Sequence, residues 1–304
     1  MVRMLAHLSD KKRQLDAARP LPAPVVKNLD EWFNVELTYT SNAIEGNTLT
    51  RAETALVVEK GITVAGKSLR EHLEAKNHTQ AISYIKTLAA KTRQDLTEEH
   101  IFEIHSIILK GIEEEMAGRY RTTAARIVGS ATVLPNPVKI PALMADFMTW
   151  LGGPNRDHTA KIASDAHFKL VSIHPFSDGN GVIARLLMNL LLMQEGYPPA
   201  VIRKEDRLSY INALEEAQTG RPLRDFEVLI YASVERSLDI YLEAIEPASS
   251  ERFYTTDDVA KMLKVDPETV RRYVRSKKLR AVKLGGKFIR IEKGDLDAFI
   301  NRLR

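Results

Sequence analysis

From about residue 30 to residue 246 the apolar side chains recur every three or four positions, with very few alternating Val, Ile or Thr runs. A chain patterned this way buries stripes along helices, so the expected fold class is mainly α, a helical bundle. Helices are expected over 29–44, 51–60, 68–87, 97–109, 139–150, 157–173, 182–195, 207–219 and 222–245. Gly46, Gly61, Gly111, Gly196 and Gly220 stand where a left-handed C-terminal residue is wanted, and Pro198 with Pro199 forbids continuation.

Two stretches break the period. Residues 118–138, GRYRTTAARIVGSATVLPNPV, are rich in Thr and Val and are closed by Pro135 and Pro137, which suits a short β-hairpin flap on the helical body. Residues 246–250, EPASS, read as a linker. Beyond them Thr255 or Thr256 can cap a helix to Leu263, a turn follows, and Asp266 caps a second helix that starts at Pro267 and runs to about Ser276. Residues 281–284 and 287–291 alternate around Gly285 and Gly286, and a last helix covers 293–303: a small winged helix-turn-helix domain.

The chain contains no cysteine, which excludes disulfides, thiolate metal sites and cysteine nucleophiles. Its longest apolar stretch falls far short of the roughly 20 residues of a membrane span, and the first 20 residues lack a hydrophobic signal core. No membrane association and a cytoplasmic location are expected. The net charge of +4 divides unevenly: residues 251–304 carry 15 Lys and Arg against 8 Asp and Glu, leaving residues 1–250 net acidic.

Chemistry concentrates between two apolar helices, in His174-Pro175-Phe176-Ser177-Asp178-Gly179-Asn180-Gly181-Val182-Ile183-Ala184-Arg185. Glycines at 179 and 181 free the backbone for a tight loop whose N–H groups, at a helix N-terminus, converge on an anion. Asp178 supplies a hard oxygen for Mg²⁺ bridging phosphates. Arg185 can fork onto a phosphate, and His174 titrates near neutrality and can take a proton from a hydroxyl. Together these parts describe phosphoryl or nucleotidyl transfer.

The ordered set resembles the signature of the Fic family, HxFx(D/E)GNGRxxR, in register at His174, Phe176, Asp178, Gly179, Asn180, Gly181 and Arg185. The resemblance implies a protein adenylyltransferase that uses ATP and Mg²⁺. His174 would deprotonate a Ser, Thr or Tyr hydroxyl of a target protein, and Asp178 would hold Mg²⁺. The Gly179–Gly181 backbone with Asn180 would form the anion hole, and Arg185 would bind the outer phosphate. Val128, Gly129, Ser130, Ala131, Thr132, Val133 and Leu134 match the family's target-aligning flap, and Tyr210 and Gln218 fall where the family often places adenine-pocket residues. One departure is plain: Val182 stands where the family has its first arginine, so a cation facing the phosphates is missing.

Upstream, Ser41-Asn42-Ala43-Ile44-Glu45-Gly46 fits the family's inhibitory pattern (S/T)xxxE(G/N). Glu45 at a helix end would be a bidentate partner for Arg185 and would stop transfer. The same glutamate could instead support removal of AMP, and the chain could alternatively be a transcriptional regulator with a degenerate nucleotide-binding Fic body. The expected organisation is an inhibitory region over 1–60, a catalytic core over 61–245, the linker, and a domain over 251–304 resembling excisionase- and MerR-like proteins. In that domain Thr269, Arg271, Arg272, Arg275, Lys283, Lys287 and Arg290 would contact DNA. The sequence is also compatible with a homodimer.

Overall fold

A computed structural model describes residues 1–127, 129–245, 253–284 and 288–303, divided into two compact units, Met1–Ile245 and Glu246–Arg304. The first is helical: α1 (Val2–Ala17), α2 (Ala23–Ile44), α3 (Arg51–Lys60), α4 (Leu69–Leu88), α5 (Glu98–Leu109), α6 (Ile140–Gly152), α7 (Thr159–Ile173), α8 (Asn180–Gln194), α9 (Arg207–Gln218) and α10 (Arg224–Ile245). Local chemistry sets several starts. Thr50 with Glu53, and Ser68 with Glu71, form reciprocal capping boxes at α3 and α4. Pro24 sits in the first turn of α2, where its missing N–H costs nothing.

Helices α7 and α8 pack along one another at the centre of the core. Ala160, Ala163, Ala166 and Ala184 are fully buried there, and their small side chains allow close approach. Residues 174–179 join the two helices, so the motif loop is anchored at both ends in the core. Helices α4 and α5 lie against α8 on one side, and α10 packs on α7 and α1 on another. Helix α1 carries mixed charges and is not legible from its pattern. It is fixed by buried Leu8 and Leu15 and by Lys11, which bridges Glu235 at 2.8 Å and Asp239 at 2.6 Å on α10.

Residues 118–138 correct one expectation. No strand forms among the described residues of this segment, which runs as an extended loop with a turn closed by Ser130 N donating to Ile127 O. Side chains, rather than a ladder, hold it in place. Residues 1–60 are not a separate body but part of the same compact unit as the core.

The second unit has its own core of Val259, Ala260, Val270, Leu279, Ile291, Leu296 and Phe299. Strand β1 (Phe253–Tyr254) pairs antiparallel with β3 (Phe288–Glu292), which pairs antiparallel with β2 (Val282–Leu284). Helices α11 (Thr256–Leu263), α12 (Pro267–Arg275) and α13 (Lys293–Leu303) complete it. The turn between α11 and α12 uses Lys264 at φ 53°, and the Asp266 carboxylate caps α12 by accepting from Glu268 N at 2.8 Å. The linker over 246–250, Val128 and Lys287 lie outside the described residues.

Candidate active site

The loop between α7 and α8 is anchored from below. Phe176 is fully buried and stacks on His105 at 3.9 Å between ring centroids. Asn180 closes the loop on itself: its Nδ2 donates to Phe176 O at 2.8 Å and its Oδ1 accepts from Phe176 N at 3.0 Å. The side chain thus braces the loop and leaves the backbone of Asn180 at the helix start. Ile183 N makes the first helical bond, to Gly179 O. The amides of 180–182 are therefore the ones a helix start leaves for an incoming acceptor.

The two glycines serve different ends. Gly179 adopts φ 77°, a left-handed conformation, and a Cβ there would collide with Ile108. Gly181 needs no unusual angle. A Cβ on it would run into the Glu45 carboxylate and approach Arg185 Nη1 to 3.1 Å, so a larger residue there would push the end of the Glu45 side chain aside.

His174 ends α7 at φ 51° and ψ 58°, the left-handed region, uncommon for residues other than glycine. Arg121, itself buried, ties down its carbonyl. Its Nε donates to His174 O at 2.8 Å, its Nη1 to Thr123 O at 2.9 Å and its Nη2 to Pro135 O at 2.7 Å, tying both ends of the 118–138 loop to the histidine. Burial lowers the His174 pKa, so the imidazole is neutral near pH 7. With Nδ1 placed 3.3 Å from Val171 O, Nε2 is the nitrogen left to accept a proton.

Ser41 and Glu45 reach Arg185 from α2. The Arg185 guanidinium is buried; Nε donates to Ser41 Oγ at 3.0 Å, and Nη2 donates both to Ser41 O at 3.1 Å and to Glu45 Oε1 at 2.7 Å. Glu45 thus takes a single N–H, not the expected bidentate fork. The α2 terminus is fully accounted for. Asn42 O accepts from Asn47 N and Ala43 O from Gly46 N, a Schellman closure that needs Gly46 at φ 102°. Arg185 takes the Ser41 carbonyl and Arg207 takes that of Ile44 at 2.7 Å, placing two cations at the negative end of the helix. Asn47 then pins the following chain to α4 through Glu71 O at 3.1 Å and Glu74 Oε2 at 2.9 Å.

Tyr210, expected near an adenine, is buried, and its hydroxyl stands between His167 Nε2 at 2.9 Å and Arg185 Nη1 at 3.4 Å, so in this structure it supports the arginine. Gln218 accepts from Thr132 Oγ1 at 3.2 Å, while Glu215 accepts from Ser130 Oγ at 2.9 Å and Ala131 N at 2.7 Å; both hold the loop. Gly129 takes φ 79°, Val133 is exposed, and Leu134 follows in extended chain. Arg121, Arg207 and Glu215 carry no motif signal, because their roles depend on contacts between distant segments.

Asp178 is half-exposed; Oδ1 accepts from Gly179 N at 2.7 Å and Oδ2 pairs with Arg70 Nη2 at 2.8 Å. Among the described residues no group of three or more metal-ligating side chains gathers. Asp178 therefore fits Mg²⁺ only as a lone carboxylate completing a shell of water and phosphate oxygens, a common arrangement for this ion. A cavity of about 690 Å³ reaches Ser41 and Arg185 from the side of Phe33, Ile82 and Met193; His174, Gly179 and Gly181 do not line it.

Comparison with known proteins bears directly on this geometry. Residues 95–192 match the Fic/DOC family model and residues 253–304 a helix-turn-helix domain model. A solved structure of Fic-1 (residues 134–508) from C. elegans is 30% identical, with a TM-score of 0.75, and the match covers 81% of this chain and 73% of that one. This chain belongs to the Fic/DOC family. Among relatives, the protein adenylyltransferase Fic of Nematostella vectensis is 37% identical over 253 residues, 82% of this chain; the chain spans only 58% of that relative's length. A Fic family protein from Desulfovibrio desulfuricans G20, 19% identical, shares the fold over 96% of both chains with a TM-score of 0.68. The Fic loop, the α2 terminus and a C-terminal helix-turn-helix unit thus occur together in one family member.

On that unit, Arg271, Arg272 and Arg275 are exposed on α12 and Thr269 is half-buried there. Arg271 and Arg275 both pair with Glu268. Lys283 lies on β2 and Arg290 on β3. No helix among the described residues is long and apolar enough to cross a membrane.

Proposed function

We propose that the protein is an adenylyltransferase that moves AMP from ATP to a hydroxyl of a target protein, and that Glu45 holds it inactive. The observation that carries the reading is the position of the Glu45 carboxylate. It lies against Gly181 and on Arg185, in the space an outer phosphate would take beside the α8 amides. In the transfer, the target oxygen forms a bond to the α-phosphorus as the bond to pyrophosphate breaks, and His174 Nε2 takes the hydroxyl proton. Amides at the start of α8 bind the developing negative charge, and Arg185 orients the outer phosphate once freed. Asp178 would hold Mg²⁺, whose chemistry here is neutralisation of phosphate charge. The names of the relatives support the same reaction.

Incubation with ATP radiolabelled at its α-phosphate tests this. Label should appear on protein, the enzyme itself or one in lysate, with Glu45→Gly and vanish with Glu45→Gly/His174→Ala; an unlabelled Glu45→Gly protein would sink the reading. The basic helix-turn-helix unit supports a second activity, DNA binding through α12 and the β2–β3 strands.

A further inference from the structure

The cleft beside the motif loop is lined by Asn42, Glu45, Glu74, Asp178 and Val182 together with Arg70, and among its described lining residues only Arg70 carries a fixed positive charge. ATP brings several negative charges to such a place. Arg185 is buried and engaged by Ser41, Tyr210 and Glu45, and position 182, on the first turn of α8, is an apolar valine that packs on the core. A polyphosphate in this cleft would therefore lack an exposed cation unless another element supplied one.

From the first turn of α4, Arg70 does so. Its Nη2 donates to Asp178 Oδ2 at 2.8 Å, its Nη1 to Glu113 Oε1 at 3.0 Å and its Nε to Glu74 Oε1 at 3.0 Å. The side chain stays about half exposed (49%), and exposed ion pairs of this kind add little to folding stability. Three carboxylates around one guanidinium nevertheless fix its orientation toward the motif loop. Glu74 also accepts from Asn47, two residues beyond Glu45, so one bonded chain runs from the inhibitory turn through Glu74 and Arg70 to Asp178.

We propose that Arg70 is the second phosphate-binding cation of this site, supplied by α4 in place of the arginine absent at Val182, and that it binds the outer phosphates of ATP. The inference rests on the adenylyltransferase reading. On nucleotide entry the Arg70 guanidinium exchanges its Asp178 contact for phosphate oxygens, which leaves the Asp178 carboxylate for Mg²⁺.

Calorimetric binding of MgATP and of AMP to full-length Glu45→Gly tests it, with Arg70→Ala, Arg70→Gln and Arg70→Ala/Val182→Arg added to that background. MgATP affinity should fall about tenfold in both single substitutions while AMP affinity holds, and Val182→Arg should restore most of the loss. Unchanged MgATP affinity overturns the proposal, as does an equal loss for MgATP and AMP, which would mean that Arg70 only braces the loop. The half-exposed side chain makes folding of both variants secure, and unshifted melting temperatures check it. If Glu45→Gly binds no nucleotide at all, the adenylyltransferase reading falls and this inference with it; normal binding that ignores Arg70 removes only the inference.

Discussion

Arg121 shows how one side chain can matter to a site it never enters. Its guanidinium satisfies three backbone carbonyls, those of Thr123, His174 and Pro135, from a buried position. Replacement by methionine fills similar volume but leaves those acceptors unmet. Hydrogen bonds to charged groups contribute about 1.5–3 kcal/mol each, and an orphaned buried acceptor costs about 1–3 kcal/mol. With three acceptors involved, Arg121→Met should lower the unfolding free energy in urea by at least about 3 kcal/mol; an unchanged midpoint would show that water meets the same carbonyls. At this scale the sequence tells most about residues whose chemistry is intrinsic. His174, Asp178, Arg185 and Glu45 stand out in the sequence because an imidazole, a carboxylate and a guanidinium keep their chemistry in any fold. Arg121, Arg70 and the place of Tyr210 do not, since each depends on which distant segment folds against it.

At the scale of elements, helices α4, α5 and α7 each carry a buried neutral histidine. Burial pushes His78 and His167 down to about 3, with the Arg185 charge adding to it, and burial pushes His105 down to about 4. In the unfolded chain these groups take protons near pH 6.5. Stability is therefore intact above that value and declines as the pH falls, because the unfolded state binds protons the folded state refuses. Each histidine adds up to about 1.4 kcal/mol per pH unit until its folded pKa is reached. Urea midpoints should hold between pH 8 and 7 and drop steeply from pH 6 to 5, and His167→Gln should flatten the slope; a midpoint constant down to pH 4.5 would contradict the assignment. Helix positions are readable because a three- to four-residue period survives any tertiary context. The 118–138 segment misleads for a matching reason: its Val and Thr content favours extended backbone, but Arg121, Glu215 and Gln218 hold it as a loop with no strand among its described residues. The mixed charges of α1 hide a helix whose stability comes from packing on α10.

For the whole molecule, the charge split in the sequence coincides with two units that each close their own core. Deletion of residues 246–304 should leave a cooperatively folding fragment that has lost affinity for duplex DNA. The full chain should bind in a gel-shift assay with an affinity that falls steeply between 50 and 200 mM salt, on the order of what counterion release gives for a few phosphate contacts. Equal binding by the fragment would reassign the DNA contact. Charge imbalance along the chain is enough to locate the second unit. The partial neutralisation of Arg271 and Arg275 by Glu268 is not visible that way, because it depends on the spacing that α12 imposes on the three side chains.

The Schellman closure at the end of α2 has a bearing on time as well as on place. Because Gly46 and Asn47 fix the backbone on the far side of Glu45, the helix need not move for the carboxylate to leave Arg185. A half-exposed side chain (47%) needs only to rotate, and rotamer flips of exposed side chains take roughly picoseconds to nanoseconds, far faster than a typical enzymatic turnover. With Glu45 as the latch proposed above, the carboxylate would re-equilibrate many times within each catalytic cycle. It would act as a dimmer rather than a trap, and the wild-type protein should begin its reaction without a lag, at a constant fraction of the rate of Glu45→Gly.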